Sequence, residues 1–75
     1  MELPEEQHIL KEIAKGNIKA FEQLFFCYQP RLVYFLVGLT HDKEVSRDIA
    51  QDLFLTLWKD RVKLKDVRSF SSYLF

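Results

Sequence analysis

The chain has 75 residues, which is enough for one small domain and no more. Hydrophobic residues make up 48% of it and aromatic residues 15%, a composition too apolar for an intrinsically disordered protein. Eleven Lys and Arg balance eleven Asp and Glu, so the formal net charge is zero and a strongly basic nucleic-acid-binding domain is excluded.

Few helix breakers interrupt the chain, which contains two Gly and two Pro and no sustained alternation typical of strands. The first predicted helix runs from about Pro4 to Lys15, and Pro4 suits the first helical position. Its apolar stripe consists of Ile9, Leu10, Ile13 and Ala14. Gly16 follows a last-turn cation and predicts the end of this helix.

The second predicted helix extends from residue 18 to about residue 39, and Asn17 is a suitable N-cap for it. Apolar residues recur along it at helical spacing: Ile18, Phe21, Leu24, Phe25, Tyr28, Leu32, Phe35, Leu36 and Leu39. Pro30 lies inside this pattern, where it removes a backbone donor and crowds the preceding turn. The pattern predicts a kinked helix or two shorter ones, and we favour the kinked helix.

A turn at residues 40–42 precedes the third predicted helix, which runs from about Lys43 to Arg61. Thr40 and Asp42 are the two candidate caps, since either side chain can accept a hydrogen bond from an N–H group of the first turn. The sequence does not choose between them.

A polar, basic connector is predicted over residues 62–68. Asp66 or Ser69 can cap a fourth helix that begins near Phe70 and is still apolar at Phe75. No C-terminal helix signal follows, so we expect the last helix to be truncated. The elements together predict an all-α fold, a single small bundle of three to four helices.

The third predicted helix separates into two faces when each residue is advanced by 100°. The apolar face consists of Val45, Ile49, Ala50, Leu53, Phe54, Leu57 and Trp58. The polar face consists of Glu44, Asp48, Gln51, Asp52 and Lys59, and Leu55 lies in the middle of it. Leu55 is either a single exposed leucine, as is common on surfaces, or the apolar anchor of an interaction face. Trp58 lies where the faces meet and is more simply a residue at the edge of the core.

The segment Asp48–Trp58 has a recognisable form. An acidic residue is followed by an aliphatic pair and then by Gln and a second acidic residue; a Phe stands two residues after that acid, and another aromatic residue stands four residues after the Phe. It resembles the second conserved region of bacterial sigma factors of the extracytoplasmic-function type. Residues 20–28 look like the helix that opens the same domain, and Gly16-Asn17 lies where these proteins usually carry Gly-Asp or Gly-Asn. Residues 69–75 are similar to the start of the family's next helix. The resemblance covers nearly the whole chain.

The resemblance implies a helical module that docks on the coiled-coil clamp helices of the β′ subunit of core RNA polymerase. The docking positions that it implies are Arg47, Asp48, Gln51, Asp52, Leu55 and Trp58, with Arg47 and Trp58 flanking the others. At the position of Asp52 the family more commonly has Glu. Asp52 is also acidic, but its side chain is shorter. An anti-sigma factor is a further partner that the family commonly has.

The resemblance also implies promoter DNA as a partner of the full-length protein. In the family, the helix that begins here near Phe70 continues into the segment that opens and reads the promoter's minus-ten element. Most of that segment, and the helix-turn-helix domain that reads the minus-thirty-five element, would lie beyond Phe75. We therefore expect the chain to be the polymerase-docking half of a larger factor.

The zero net charge is unevenly distributed, because residues 42–60 carry −2 and residues 61–75 carry +3. The candidate DNA contacts in this basic stretch are Arg61, Lys63, Lys65, Arg68 and Tyr73. Cations hold phosphates and aromatic rings stack on exposed bases, which suits melted DNA. The alternative is that the cations belong to a solvated connector and that the rings of Phe70 and Tyr73 lie in the core. We favour a core position for Phe70 and leave the position of Tyr73 open. We expect little DNA affinity from this chain alone.

No catalytic, metal or cofactor site is predicted. His8 and His41 lie far apart, and the single Cys27 fits neither a ligand spacing nor a nucleophile signature. Cys27 cannot form an internal disulfide and is most simply a small buried apolar residue. The acidic N-terminus lacks the features of a signal peptide, and no run reaches the ~20 apolar residues of a membrane helix. We therefore expect a cytoplasmic protein that is not an enzyme and has no membrane partner.

A different class of function is a self-associating helical bundle with no nucleic-acid role. This interpretation depends on the apolar end of the chain, where Tyr73, Leu74 and Phe75 would be exposed in a monomer. Small open cores often close by pairing, so this alternative predicts a homodimer.

Overall fold

A computed structural model of the chain describes residues 5–75, which form an all-α fold, as predicted. The elements are α1 (Glu6–Ala14), α2 (Ile18–Thr40), α3 (Lys43–Lys59), a 3-10 helix (Arg61–Asp66) and α4 (Phe70–Leu74). The predicted position of Pro4 in the first helix lies outside the described residues. α2 is the central element, because α1 and α3 both pack against it, and α1 also packs against the 3-10 helix.

The junction between α1 and α2 has the predicted chemistry. Gly16 adopts a φ of +97°, a left-handed conformation that glycine accepts without a Cβ clash, and its N–H donates to the carbonyl of Ile13 at 2.8 Å. The side chain of Asn17 then accepts the N–H of Ala20 at 3.1 Å. The predicted stop and the predicted N-cap are both confirmed.

α2 is one helix of 23 residues across Pro30, so the alternative of two separate helices is wrong. An interior proline costs about 3 kcal/mol because it removes a hydrogen bond and crowds the preceding turn. Both halves of α2 bury apolar side chains in the same core, with Leu24 and Tyr28 before the proline and Leu32 and Val33 after it. This burial on both sides keeps the helix continuous.

The two uncertain caps are Asp42 and Ser69. Asp42 accepts the N–H of Val45 at 3.1 Å and so caps α3, whereas Thr40 lies within hydrogen-bonding distance (2.7 Å) of the Ser46 hydroxyl. Ser69 accepts the N–H of Ser72 at 3.5 Å and caps α4. In both cases the cap is the residue directly before the helix, as the geometry of a first turn requires.

The polar, basic connector predicted over residues 62–68 contains regular structure that the sequence did not indicate. α3 ends at Lys59, two residues before the predicted end, and a 3-10 helix occupies residues 61–66. The N–H of Lys63 donates to the carbonyl of Asp60 at 3.0 Å, and Leu64 is fully buried. Burial of Leu64 in the core anchors a segment whose other side chains are mostly polar.

The core is contributed by all five elements and contains Ile9, Leu10, Ile13, Ala20, Leu24, Tyr28, Leu32, Val33, Ala50, Phe54, Leu64 and Phe70. Phe70 is buried, as we favoured. α3 buries a narrower stripe than the predicted apolar face, since Val45 is 44% exposed and Leu53 is 38% exposed. Ser46 is buried instead, because it lies one turn before Ala50 on the line that faces the rest of the bundle.

Two further predictions about burial need correction. Cys27 is half-buried rather than buried, and it packs against the edge of the core. Leu74 is also half-buried against the core, although it was expected to be exposed with its two neighbours. Phe75 is exposed, and its ring lies 5.4 Å from that of Phe35.

Candidate functional site

An apolar groove runs between the N-terminal part of α2 and the C-terminal part of α3. Its volume is about 410 Å³, and it is open to solvent. The residues that line it are Ile18, Phe21, Phe25, Gln51, Phe54, Leu55 and Trp58. Because the two helices pack side by side, each of them supplies one wall.

The floor of the groove is a cluster of aromatic rings. The Phe54 ring lies edge-on to Phe25 at 5.0 Å and to Phe21 at 6.3 Å, measured between ring centroids. Phe21 in turn lies 5.1 Å from Trp58. Edge-to-face and tilted ring contacts at these distances are favourable. The floor of the groove therefore consists of rings that already pack against one another.

Three of the six predicted docking residues line this groove together. Leu55 is 59% exposed at the rim, and Gln51 is exposed one turn before it. Trp58 is half-buried at the far end, as expected for a residue at the edge of the core. Within residues 5–75 the amide of Gln51 makes no hydrogen bond, so its donors and acceptor face solvent.

The other three predicted docking residues lie beside the groove. Asp48 and Asp52 are exposed and make no ion pair with any described residue, so they form an acidic strip along the outer surface of α3. Arg47 lines a second cleft of about 420 Å³ between α2 and α3. The structure thus divides the six positions among a groove, an acidic strip and a second cleft.

The sequence did not indicate the wall that α2 contributes. Ile18, Phe21 and Phe25 were assigned to the apolar stripe of α2, but Ile18 is exposed and the two rings are half-buried. Their i, i+3 and i+7 spacing is the signal that could have placed them on one line facing α3. Periodicity alone does not show how closely two helices approach each other. The distance between α2 and α3 decides whether these three side chains become part of the core or one wall of a groove.

The candidate DNA contacts are not gathered into one cluster. The guanidinium of Arg61 lies 4.5 Å from the ring centroid of Trp58 and donates to the Trp58 carbonyl at 3.0 Å. Lys65 instead lines a cleft against α1. Lys63 and Arg68 are exposed, and Tyr73 is 48% exposed with its ring 6.4 Å from Phe70.

A buried carboxylate, which the sequence did not single out, fixes the start of α4. Glu6 is buried, and it accepts the hydroxyl of Tyr28 at 2.6 Å and the N–H of Phe70 at 3.2 Å. The side chain of Gln7 also donates to the carbonyl of Arg68. The first turn of α1 therefore sets the position of the segment that carries Tyr73.

Neither a metal site nor a membrane span is found in the described part of the chain. No group of three or more His, Cys, Asp or Glu side chains within residues 5–75 could hold a metal ion. None of the described helices is long and apolar enough to cross a bilayer.

Comparison with known proteins gives two matches. Residues 24–75 match the Sigma-70 region 2 family. The chain is also 22% identical over 71 residues to the RNA polymerase sigma-H factor of Pseudomonas aeruginosa. That alignment covers 95% of this chain and 37% of the relative, so the chain spans little more than a third of the relative's length. No solved structure matches the chain.

Proposed function

The chain belongs to the Sigma-70 region 2 family, and from this membership we propose that it docks on core RNA polymerase during transcription initiation. The observation that carries the proposal is the open groove at Gln51, Leu55 and Trp58, which coincides with positions that the sigma-factor resemblance implied. The extracytoplasmic-function subtype is part of the proposal, since the matched family is region 2 as a whole.

The proposed partner surface is the pair of clamp helices of the β′ subunit. A helix laid along the groove would place an apolar side chain against Leu55 and the aromatic floor, which is how amphipathic helices bind grooves. Gln51 would exchange hydrogen bonds with the backbone or an amide of the partner. Asp48 and Asp52 would accept hydrogen bonds from its Arg or Lys side chains, where charge-assisted contacts give orientation and specificity.

A formed groove favours this function on energetic grounds. Binding is weakened by about 0.5–1.5 kcal/mol for each flexible side chain that must be ordered at an interface. The rings of Phe21, Phe25 and Phe54 are already held by contacts with one another, so they lose little freedom when a partner binds. Binding is also favoured by the hydrophobic effect, because a partner covers the exposed apolar surface of Leu55 and displaces water from it.

A titration of isolated β′ clamp helices with the chain tests this proposal. The double variant Gln51→Ala, Leu55→Arg removes the amide and places a charge at the apolar rim, and we expect binding to weaken roughly 100-fold or more. Leu39→Arg is the matched control, since Leu39 is also an exposed leucine and lies outside the groove. Equal affinities for the double variant and the unmodified chain would overturn the docking assignment.

We propose in addition that the C-terminal segment forms the start of the surface that meets the melted minus-ten strand. The half-exposed ring of Tyr73 and the exposed cations Lys63, Lys65 and Arg68 support this role. Arg61 is engaged with Trp58 and would contribute less. Anisotropy of a labelled single-stranded oligonucleotide at two salt concentrations should show weak, salt-sensitive binding, and binding that does not depend on salt would contradict the proposal.

Self-association is the second candidate function, and the exposed rings of Phe35 and Phe75 favour it. Sedimentation velocity over a wide range of concentrations distinguishes it from docking. A chain that remains monomeric at the highest concentration would exclude the homodimer. An anti-sigma factor is a further proposed partner, and it would compete with the clamp helices if it covers the same groove.

A further inference from the structure

The groove and the second cleft lie along one seam between α2 and α3. On the α3 side, the seam is lined by a row with four-residue spacing, Lys43, Arg47, Gln51 and Leu55. Residues at this spacing form a continuous ridge on a helix, so one binding surface extends over both openings. Gln51 in the groove lies one turn from Arg47 in the second cleft.

The two openings differ in chemistry. The groove is walled by aromatic and aliphatic side chains, whereas the second cleft carries two cations, Lys43 and Arg47, above apolar walls that include Val33 and Val37. Neither cation forms an ion pair with a described residue. The hydroxyl of Tyr34, a residue 84% exposed at the same cleft, adds a donor to this end of the seam.

Charge is also sorted across α3. The exposed acids Glu44, Asp48 and Asp52 do not line either opening, and the cations Lys43 and Arg47 line the second cleft. A partner helix that lies along the seam therefore meets positive charge where it enters the second cleft. Its side next to the outer surface of α3 meets negative charge. Such an arrangement selects one orientation of the partner, because the reversed helix would place its charges against like charges.

We propose that the helix docked in the groove continues into the second cleft and places a carboxylate between Lys43 and Arg47. This inference rests on the proposed docking function and adds the chemistry of the partner. An Arg guanidinium binds a carboxylate through two parallel hydrogen bonds, and apolar walls strengthen such a contact by excluding water. The occupant is thus a helix with an apolar anchor at one end and an Asp or Glu at the other.

The spacing on the partner follows from helix geometry. Arg47 and Leu55 are eight residues apart on α3, which corresponds to about 12 Å along the helix axis at a rise of about 1.5 Å per residue. A partner helix that runs alongside α3 must therefore carry its carboxylate about two turns, or roughly seven to eight residues, from its apolar anchor.

Calorimetric titration of isolated β′ clamp helices against the folded chain tests the inference. Arg47→Glu should weaken binding roughly tenfold or more, with a larger effect at low salt. Lys59→Glu is the matched control, because it makes the same change of charge at an exposed position of α3 that lines neither opening, and its affinity should stay within about twofold of the unmodified chain. Circular dichroism of each variant verifies that the chain is folded.

The outcomes separate the two proposals. If the unmodified chain binds and Leu55→Arg abolishes binding, but Arg47→Glu binds as well as Lys59→Glu, the carboxylate inference is wrong and the docking function stands. If the unmodified chain does not bind the clamp helices, the docking function itself is wrong, and the inference fails with it. If a Glu→Lys or Asp→Lys change on the clamp helices restores the affinity of Arg47→Glu, that acidic residue is the predicted occupant.

Discussion

Glu6 and Phe70 are joined by a buried hydrogen bond in which the N–H of Phe70 donates to the Glu6 carboxylate at 3.2 Å. The second carboxylate oxygen accepts the hydroxyl of Tyr28 at 2.6 Å, and the Tyr28 ring lies edge-on to that of Phe70 at 4.9 Å. One side chain of α1 thereby connects the central helix α2 with the first residue of α4. The start of the proposed DNA-facing segment depends on a residue 64 positions earlier in the chain.

Replacing this carboxylate should destabilise the domain substantially. Glu6→Ala removes the carboxylate that accepts the buried N–H of Phe70 and the hydroxyl of Tyr28, and a buried polar group that loses its partner costs about 1–3 kcal/mol. Glu6→Gln keeps an acceptor oxygen and should cost less. Urea unfolding measures the difference, with Glu22→Ala as the control because Glu22 is exposed on α2. A free energy of unfolding for Glu6→Ala equal to that of the control would contradict the role assigned to Glu6.

The sequence predicts the α3 half of the groove and misses its α2 half, for a physical reason. Helical periodicity fixes the direction of Gln51 and Leu55 relative to their own helix, so a leucine inside a polar face can be recognised without a structure. Whether Phe21 and Phe25 become core or groove depends on the distance between α2 and α3. That distance is set by the packing of side chains from both helices.

Glu6 was missed for a related reason. A glutamate in the first turn of a helix is ordinarily explained by the positive end of the helix dipole, and it is then expected to face solvent. Its burial here comes from Tyr28 and Phe70, which are distant in sequence and meet at this point only in the folded bundle. A pattern within one helix carries no information about such a contact.

The N-cap of α2 should contribute measurable stability. Asn17→Ala removes the acceptor of the Ala20 N–H, and a lost cap costs about 1 kcal/mol. Lys19→Ala, an exposed change in the same turn, is the control. Thermal unfolding should show the lower melting temperature for Asn17→Ala alone, and equal melting temperatures for the two variants would contradict the assignment.

The same asparagine affects the ionisation of Glu12. A hydrogen bond from the Asn17 side chain, with the ammonium group of Lys15 adding to it, holds the pKa of Glu12 below its usual value. Asn17→Ala should therefore raise the pKa of Glu12 toward that value, since one of the groups that favour the charged form is gone. An NMR titration of the Glu12 side chain measures the change, and a pKa that falls in the variant would contradict this explanation.

Phe54 and Leu55 are adjacent in sequence and should separate stability from binding. Phe54→Ala removes a buried ring that contacts both Phe21 and Phe25, and truncations of this kind cost about 3–5 kcal/mol. Leu55→Ala changes an exposed side chain and should alter the free energy of unfolding by less than about 0.5 kcal/mol. Urea unfolding together with titration of the clamp helices should show Leu55→Ala weakening binding while stability is unchanged. A stability loss at Leu55 as large as that at Phe54 would contradict the exposed position of Leu55.

Trp58 provides an intrinsic probe of the groove, because it is the single tryptophan of the chain. Its indole is half-buried between the ring of Phe21 at 5.1 Å and the guanidinium of Arg61 at 4.5 Å, with its remaining surface open to the groove. A helix bound in the groove excludes water from that surface, so the emission maximum of Trp58 should move to shorter wavelength as clamp helices without tryptophan are added. Leu55→Arg should abolish the shift at the same concentrations, whereas Leu39→Arg should preserve it. Tight binding with unchanged emission would show that the partner docks elsewhere on the domain.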